Sequence, residues 1–101
     1  MSIIAFDSIA QSLTPVCERH HVVRLRIFGS TATGNAKPDS DVDLLVDYDP
    51  TFTPTFFTID ELERDLSPIF DGRPIDLMRP DDVHWFIRRT VLNSARTLYE
   101  R

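Results

Sequence analysis

The sequence is poor in cysteine and has no long apolar run. Its one cysteine, Cys17, cannot form an internal disulfide, and its apolar neighbourhood predicts a small buried side chain in a protein of a reducing compartment. No segment approaches the roughly 20 apolar residues that cross a bilayer. Near the N-terminus, Asp7 and Gln11 interrupt the apolar residues that a secretory signal would need. We therefore expect a cytoplasmic protein without a membrane partner.

Basic residues are also few. The chain has 11 Lys and Arg residues against 16 Asp and Glu residues, which gives a formal net charge of -5. Binding along a nucleic acid relies on clustered cations, so long nucleic acid is not expected as a partner. The acidic excess lies mainly in aspartates, the side chains that hard divalent cations prefer. Five of these aspartates lie close together: Asp39, Asp41, Asp43, Asp47 and Asp49.

The length and composition predict one soluble domain spanning residues 1–101. The chain is 42% apolar and 27% charged, as is usual for a globular protein. A domain of this size buries a smaller share of its surface than a large one does, so its stability can depend on a partner. We expect the protein to work in a complex.

Apolar residues at helical spacing predict helices over residues 2–20 and 59–69, and from Pro80 to about Asn93. Pro15 should kink or restart the first helix. A further short helical stretch is expected between Ser30 and Ala36, followed by a turn at 37–40. Alternating or β-branched residues predict strands over 22–28, 41–47 and 75–78, and residues 98–99 form a strand or a last turn.

The strand at 41–47 carries a face of carboxylates. Asp41 and Asp43 are two residues apart, so their side chains lie on the same face with origins roughly 6 to 7 Å apart. Such a pair can converge on divalent ions that polarise a phosphate, lower the pKa of an attacking hydroxyl and stabilise a leaving pyrophosphate. Asp76, alone in an apolar strand, would complete the site if that strand lies beside 41–47. It could also accept the proton of an acceptor.

Gly29 and Ser30 fit the phosphate side of the same site. Glycine allows the backbone to approach a ligand closely, and serine at the start of a helix offers a hydroxyl and neighbouring N–H groups to an anion. We predict that this pair holds the triphosphate of a nucleotide.

Together these residues resemble a known family. A Gly-Ser pair, ten residues, Asp-x-Asp and a later strand Asp are similar to the nucleotidyltransferase domain of the DNA polymerase beta superfamily, and specifically to its minimal nucleotidyltransferases. The similarity is carried by residues 24–30, 38–46, 74–77 and 98–100. It implies an α/β fold of the polymerase beta palm type, a small mixed sheet flanked by helices.

The resemblance also implies roles for the site residues. Asp41 and Asp43 would bind two magnesium ions, Asp76 would bind the catalytic ion and activate the acceptor, and Gly29 with Ser30 would bind the phosphates of ATP. Many family members carry Arg directly after the Gly-Ser pair and again two residues later. This chain has Thr31 and Thr33 at those positions, a difference that bears on the affinity for the triphosphate.

Short members of the family are commonly antitoxins encoded with an all-helical RNase toxin of the higher-eukaryote-and-prokaryote nucleotide-binding (HEPN) type. They are thought to silence the toxin by transferring AMP from ATP to a tyrosine. The resemblance therefore implies a protein adenylyltransferase that acts as an antitoxin in a hetero-oligomer with a HEPN toxin. No motif specifies the nucleotide, the acceptor, or the choice between magnesium and manganese.

Other interpretations of the same residues stay open. Asp41 and Asp43 alone could form a solvated strand face, and Asp76 could lie on the surface of an edge strand. Arg24 and Arg26 are either exposed strand charges or help to neutralise a triphosphate. The protein could instead neutralise a toxin by binding alone, or transfer a nucleotide to a small molecule such as an aminoglycoside.

Aromatic residues are concentrated in two clusters, more than a small domain readily buries. We expect most of them in the core and some in an exposed patch for a partner. The clusters comprise Tyr48, Phe52, Phe56, Phe57, Trp85 and Phe86.

Overall fold

The computed structural model describes residues 6–29, 41–83 and 85–101, without the side chains of residues 6–8 and 85–87. Within these ranges the chain forms three α-helices and four strands. In chain order they are α1 (Phe6–Arg19), β1 (Val22–Phe28), β2 (Val42–Tyr48), α2 (Phe56–Leu66), β3 (Ile75–Met78), α3 (Trp85–Ser94) and β4 (Arg96–Glu100). Two short 3-10 helices, Ser67–Phe70 and Pro80–Asp82, follow α2 and β3.

The strands form one mixed sheet in the order β3-β2-β1-β4. β1 is antiparallel to both of its neighbours, whereas β2 and β3 are parallel and are connected through α2. A parallel pair needs such a crossover connection, because a tight hairpin can join only antiparallel strands. The predicted fold, a small mixed sheet flanked by helices, is confirmed.

The core lies between one face of the sheet and the helices α1 and α2. Alternation along β2 directs Val42, Leu44 and Val46 into this core, and β1 contributes Leu25 and Ile27 in the same way. The helices cover them with Leu13, Val16, Cys17, Leu62 and Leu66. Cys17 is fully buried, as predicted, and burial raises the pKa of its thiol to about 12. It is therefore a core residue, not a reactive thiol.

Most strand and helix predictions are confirmed, with shifted ends. The strands 22–28 and 75–78 have the predicted bounds, and the last predicted segment is a strand. α2 begins at Phe56, three residues before the predicted start, because Thr55 caps it. Its hydroxyl accepts from the N–H of Thr58, whose own hydroxyl accepts from the N–H of Thr55.

The continuous helix predicted from Pro80 is wrong, because the segment splits into a 3-10 helix and α3. Val83 between them is buried in an extended conformation, which interrupts the helical hydrogen bonds. The predicted restart of α1 at Pro15 is wrong, because α1 is one helix from Phe6 to Arg19. Pro15 is exposed on the helix surface, so water can satisfy the carbonyl that proline leaves without a donor.

The helix expected at 30–36 and the turn at 37–40 lie outside the described residues. None of the helices in the described ranges is long and apolar enough to span a membrane.

Candidate functional site

Three aspartates lie at the starts of the neighbouring strands β2 and β3. Asp43 and Asp76 are direct partners in the parallel pairing of β2 with β3, whose backbones lie about 4.8 Å apart. Asp41 immediately precedes β2. The N–H of Val42 donates to the carbonyl of Pro74 at 2.8 Å, which fixes the starts of the two strands against each other. The structure thus brings together the three aspartates that the sequence singled out.

The environment of Asp43 disfavours its charged form. Burial of this half-buried side chain raises its pKa above the usual range, and the negative charges of Asp76 and then Asp41 raise it further. Asp41 and Asp76 are exposed. A carboxylate that is held beside two others in this way is suited to binding a cation, whose charge removes the repulsion.

Gly29 follows β1 and lies against Asp43. Its φ of +73° is a conformation that favours glycine, and a Cβ built on it would lie 2.6 Å from Oδ2 of Asp43. The approach follows from the register, since Phe28 pairs with Asp43 across the antiparallel β1 and β2. Only glycine fits here without displacing the carboxylate. Ser30, its predicted partner in phosphate binding, lies outside the described residues, as do Thr31 and Thr33.

The donor set fits a hard divalent cation in its chemistry. It consists of three carboxylates on or next to strand backbone, and oxygen ligands are those that magnesium and manganese prefer. Within the described residues, however, no three Asp, Glu, His or Cys side chains are already grouped closely enough to hold a metal ion. The three carboxylates lie near one another at the starts of β2 and β3, but their oxygens do not converge on a single ion position.

Arg24 and Arg26 lie on the same face of the sheet but are bound elsewhere. Both donate to Oδ2 of Asp47, at 3.1 and 3.2 Å, near the opposite end of β2. Between the two interpretations left open by the sequence, the structure favours strand charges that neutralise a carboxylate of their own sheet. The guanidinium groups are directed away from the three aspartates.

Glu63 is a supporting residue that sequence reasoning missed. Its carboxylate on α2 accepts from the backbone N–H of Leu77 at 3.3 Å, directly after Asp76. β3 is an edge strand, and this contact satisfies an N–H on its outer side. No spacing in the sequence predicts the contact, because it depends on how α2 packs beside β3.

Comparison with known proteins identifies the family. The profile of the nucleotidyltransferase domain matches residues 9–98. The protein adenylyltransferase MntA of Thermococcus cleftensis is 34% identical to this chain over 99 residues, which cover 94% of this chain and 97% of that protein.

Solved structures share the fold. A protein proposed to be a minimal nucleotidyltransferase superposes with a TM-score of 0.75 at 30% identity, covering 95% of both chains. A tri-AMPylated Shewanella oneidensis HEPN toxin in complex with its MNT antitoxin gives a TM-score of 0.65 at 15% identity, covering 95% of this chain and 73% of that one. The second likeness concerns the fold alone. The family predicted from the sequence is confirmed, and this chain belongs to the nucleotidyltransferase domain family.

Proposed function

We propose that this protein transfers AMP from ATP to a tyrosine of a helical HEPN toxin and so acts as its antitoxin. The observation that carries the proposal is the register that places Asp43 beside Asp76 and next to Gly29, with Asp41 at the start of the same strand. The Thermococcus cleftensis relative is named a protein adenylyltransferase, which supports AMP as the transferred group. The AMPylated toxin in the Shewanella oneidensis complex supports a HEPN toxin as the acceptor.

The proposed chemistry divides among the site residues. Asp41, Asp43 and Asp76 would hold magnesium, and the bound metal would supply charge neutralisation at the phosphates and a lower pKa for the attacking hydroxyl. Asp76, which is exposed on β3, would accept the proton of the tyrosine hydroxyl. Gly29, whose missing Cβ leaves room for the Asp43 carboxylate, would offer its backbone to a phosphate, and Ser30 would contribute its hydroxyl and N–H.

The carboxylates need not form a covalent intermediate. In phosphoryl transfer the protein contributes mainly positioning and electrostatic stabilisation, and rigid strand backbone provides the positioning. The tyrosine oxygen would attack the α-phosphorus of ATP, the bond from that phosphorus to the bridging oxygen would break, and pyrophosphate would leave with the electron pair. The tyrosyl proton would pass to Asp76.

The test is transfer of label from α-labelled ATP, with magnesium, to a purified HEPN-type toxin. We expect AMP on a tyrosine of the toxin, located by mass spectrometry, and loss of the label when a chelator is added. Magnesium should also raise the melting temperature of the wild-type protein but not that of Asp43→Asn, a readout that does not depend on activity.

A stable complex without any transfer would contradict the proposal. It would favour the alternative that the protein neutralises its toxin by binding alone. Transfer of AMP to an aminoglycoside, but not to the HEPN protein, would instead favour a small-molecule acceptor.

A further inference from the structure

Asp76 lies on a short strand that the core holds only weakly. β3 has four residues, and all of them are half-buried or exposed. β2, which carries Asp43, has four buried residues. β3 is also an edge strand of the described sheet, with β2 on one side. Any contact that fixes β3 therefore also fixes the position of Asp76 relative to Asp43.

Pairing with β2 holds one side of β3. The N–H of Val42 donates to the carbonyl of Pro74, directly before the strand, at 2.8 Å. Backbone groups alternate between the two sides of a strand, so those of Asp76 also face β2, whereas the N–H of Leu77 faces away from it. An outward N–H at the edge of a sheet is ordinarily left to water. The outer side of β3 therefore needs a partner from outside the sheet.

Glu63 of α2 provides this partner. Its half-buried carboxylate accepts from the N–H of Leu77 at 3.3 Å. A charged acceptor that is partly shielded from water makes a stronger hydrogen bond than a neutral one. β3 is thus held from both sides at two successive residues, with Asp76 facing β2 and Leu77 facing Glu63.

The helix that carries Glu63 is itself firmly placed. Leu62 and Leu66 on either side of it are fully buried in the core. The backbone carbonyl of Glu63 accepts from the N–H of Ser67 at the end of α2. A side chain that projects from such a packed helix can transmit the position of the helix to the strand that it contacts.

Asp65, two residues further along α2, has a similar environment but a different partner. It is half-buried like Glu63, and its Oδ2 lies 3.0 Å from an Nη of Arg19 and 2.6 Å from Nε2 of His20. Asp65 therefore joins α2 to the end of α1, whereas Glu63 joins it to β3. This difference makes Asp65 a matched control for Glu63.

The hydroxyl of Tyr48 lies near Glu63 but does not bind it. It is buried and has no hydrogen-bond partner among the described residues. Burial raises the pKa of Tyr48 to about 12, the charge of Arg79 lowers it, and that of Glu63 raises it. Glu63 is thus close enough to affect this hydroxyl, yet its carboxylate binds the backbone of β3.

We propose that Glu63 is a positioning residue, which fixes Asp76 beside Asp43 by binding the N–H of Leu77 on the outer side of β3. The role of Asp76 in catalysis and in metal binding rests on the proposed function. Glu63 acts through the strand backbone and does not bind the substrate. Loss of a residue that orients a metal ligand typically costs about 10- to 100-fold in metal affinity or activity.

The experiment compares Glu63→Ala, Glu63→Gln and Asp65→Ala in AMP transfer to a purified HEPN-type toxin, well below their melting temperatures. Glu63→Ala should lower kcat about tenfold or more and leave KM for ATP within about threefold. Glu63→Gln, whose side-chain carbonyl can still accept from Leu77, should keep kcat within about threefold of the wild type. Asp65→Ala should lower the melting temperature and keep kcat within about twofold, because its contacts lie away from β3.

Two measurements do not depend on activity. In Glu63→Ala, hydrogen exchange of the Leu77 N–H, followed by NMR, should become about tenfold faster or more, because its acceptor is lost. The dissociation constant for magnesium, titrated without ATP, should rise about tenfold in the same variant. Asp65→Ala and Tyr48→Phe should leave both quantities unchanged.

The outcomes separate this proposal from the proposed function. An unchanged kcat in Glu63→Ala, with faster exchange at Leu77, would overturn the positioning role and leave Glu63 as a cover for an edge strand. Equal losses of kcat in Glu63→Ala and Asp65→Ala would also overturn it, since they would trace the effect to stability. Absence of AMP transfer by the wild type, with the expected changes in exchange and magnesium affinity, would overturn the proposed function and leave the positioning of Asp76 standing.

Discussion

An aspartate lies near each end of β2, on the same face of the sheet, and the two aspartates have opposite electrostatic surroundings. At one end Asp47 accepts from Arg24 and Arg26, so its charge is matched within the sheet. At the other end Asp43 lies beside Asp76 and Asp41, and their negative charges raise its pKa. A carboxylate paired with arginines stabilises the fold, whereas the charge of a carboxylate beside two others costs stability and is suited to binding a cation.

Replacing the two aspartates separately should give the largest contrast. We expect Asp43→Asn to reduce transfer of AMP to the HEPN protein at least about 100-fold, because the charge that would hold the metal is lost. Asp47→Asn should keep transfer within a few-fold of the wild type. Initial rates with α-labelled ATP measure both, and equal losses in the two variants would erase the distinction between the ends of β2.

Gly29 and Gly72 offer a second matched pair. Both have positive φ, of +73° and +77°, but a Cβ at Gly29 would press on Asp43, whereas at Gly72 it would meet nothing within 4 Å. Each glycine-to-alanine substitution should lower the free energy of unfolding by about 1 kcal/mol through backbone strain. Transfer should fall about tenfold or more in Gly29→Ala only. Full activity in Gly29→Ala would show that the position of the Asp43 carboxylate is not critical.

The end of β2 at which Asp47 pairs with Arg24 and Arg26 should contribute more to the free energy of unfolding than the end at Asp43. In Asp47→Asn the guanidinium of Arg26, whose side chain is only 12% exposed, loses its carboxylate, and its Nε already lacks a hydrogen-bond partner among the described residues. We expect a loss of about 1 to 2 kcal/mol in the free energy of unfolding, measured by urea denaturation. No loss would mean that water replaces the ion pair at little cost.

Acidification should change the stability contributed at the two ends of β2 in opposite directions. Asp49, directly after β2, has its pKa lowered to about 2 by hydrogen bonds from Thr51 and Arg101, so it contributes stability that is present above about pH 4 and lost as the pH falls towards 2. The pKa of Asp43 is raised, so its charge costs stability at neutral pH, and this cost disappears as the pH falls through the raised value and below about 4.

Unfolding measured against pH with a chelator present tests this difference. Asp43→Asn should be more stable than the wild type at pH 7, and the gain should vanish by about pH 3. Asp49→Asn should be less stable than the wild type at pH 7, with the deficit shrinking on acidification. Parallel pH profiles for the two variants would contradict the opposite environments of the two aspartates.

Much of the fold was predictable from local patterns. The alternation of apolar and charged residues marked β2, and β-branched residues marked β1, because a two-sided strand imposes a period of two on its sequence. The break at Val83 was not predictable, since burial of that side chain, and not its helix propensity, sets its extended backbone. The early start of α2 was missed because a Thr-Thr capping box departs from the usual Ser/Thr and Glu/Gln pair.

The sequence by itself determined which side chains are available, namely three aspartates at characteristic spacing and a glycine after β1. Only the tertiary structure decided which of them meet. The register of β2 with β3 pairs Asp43 with Asp76, and the pairing of β1 with β2 gives Arg24 and Arg26 to Asp47. The physical reason is that strand pairing joins residues far apart in the chain, and its register is set by the packing of the whole core.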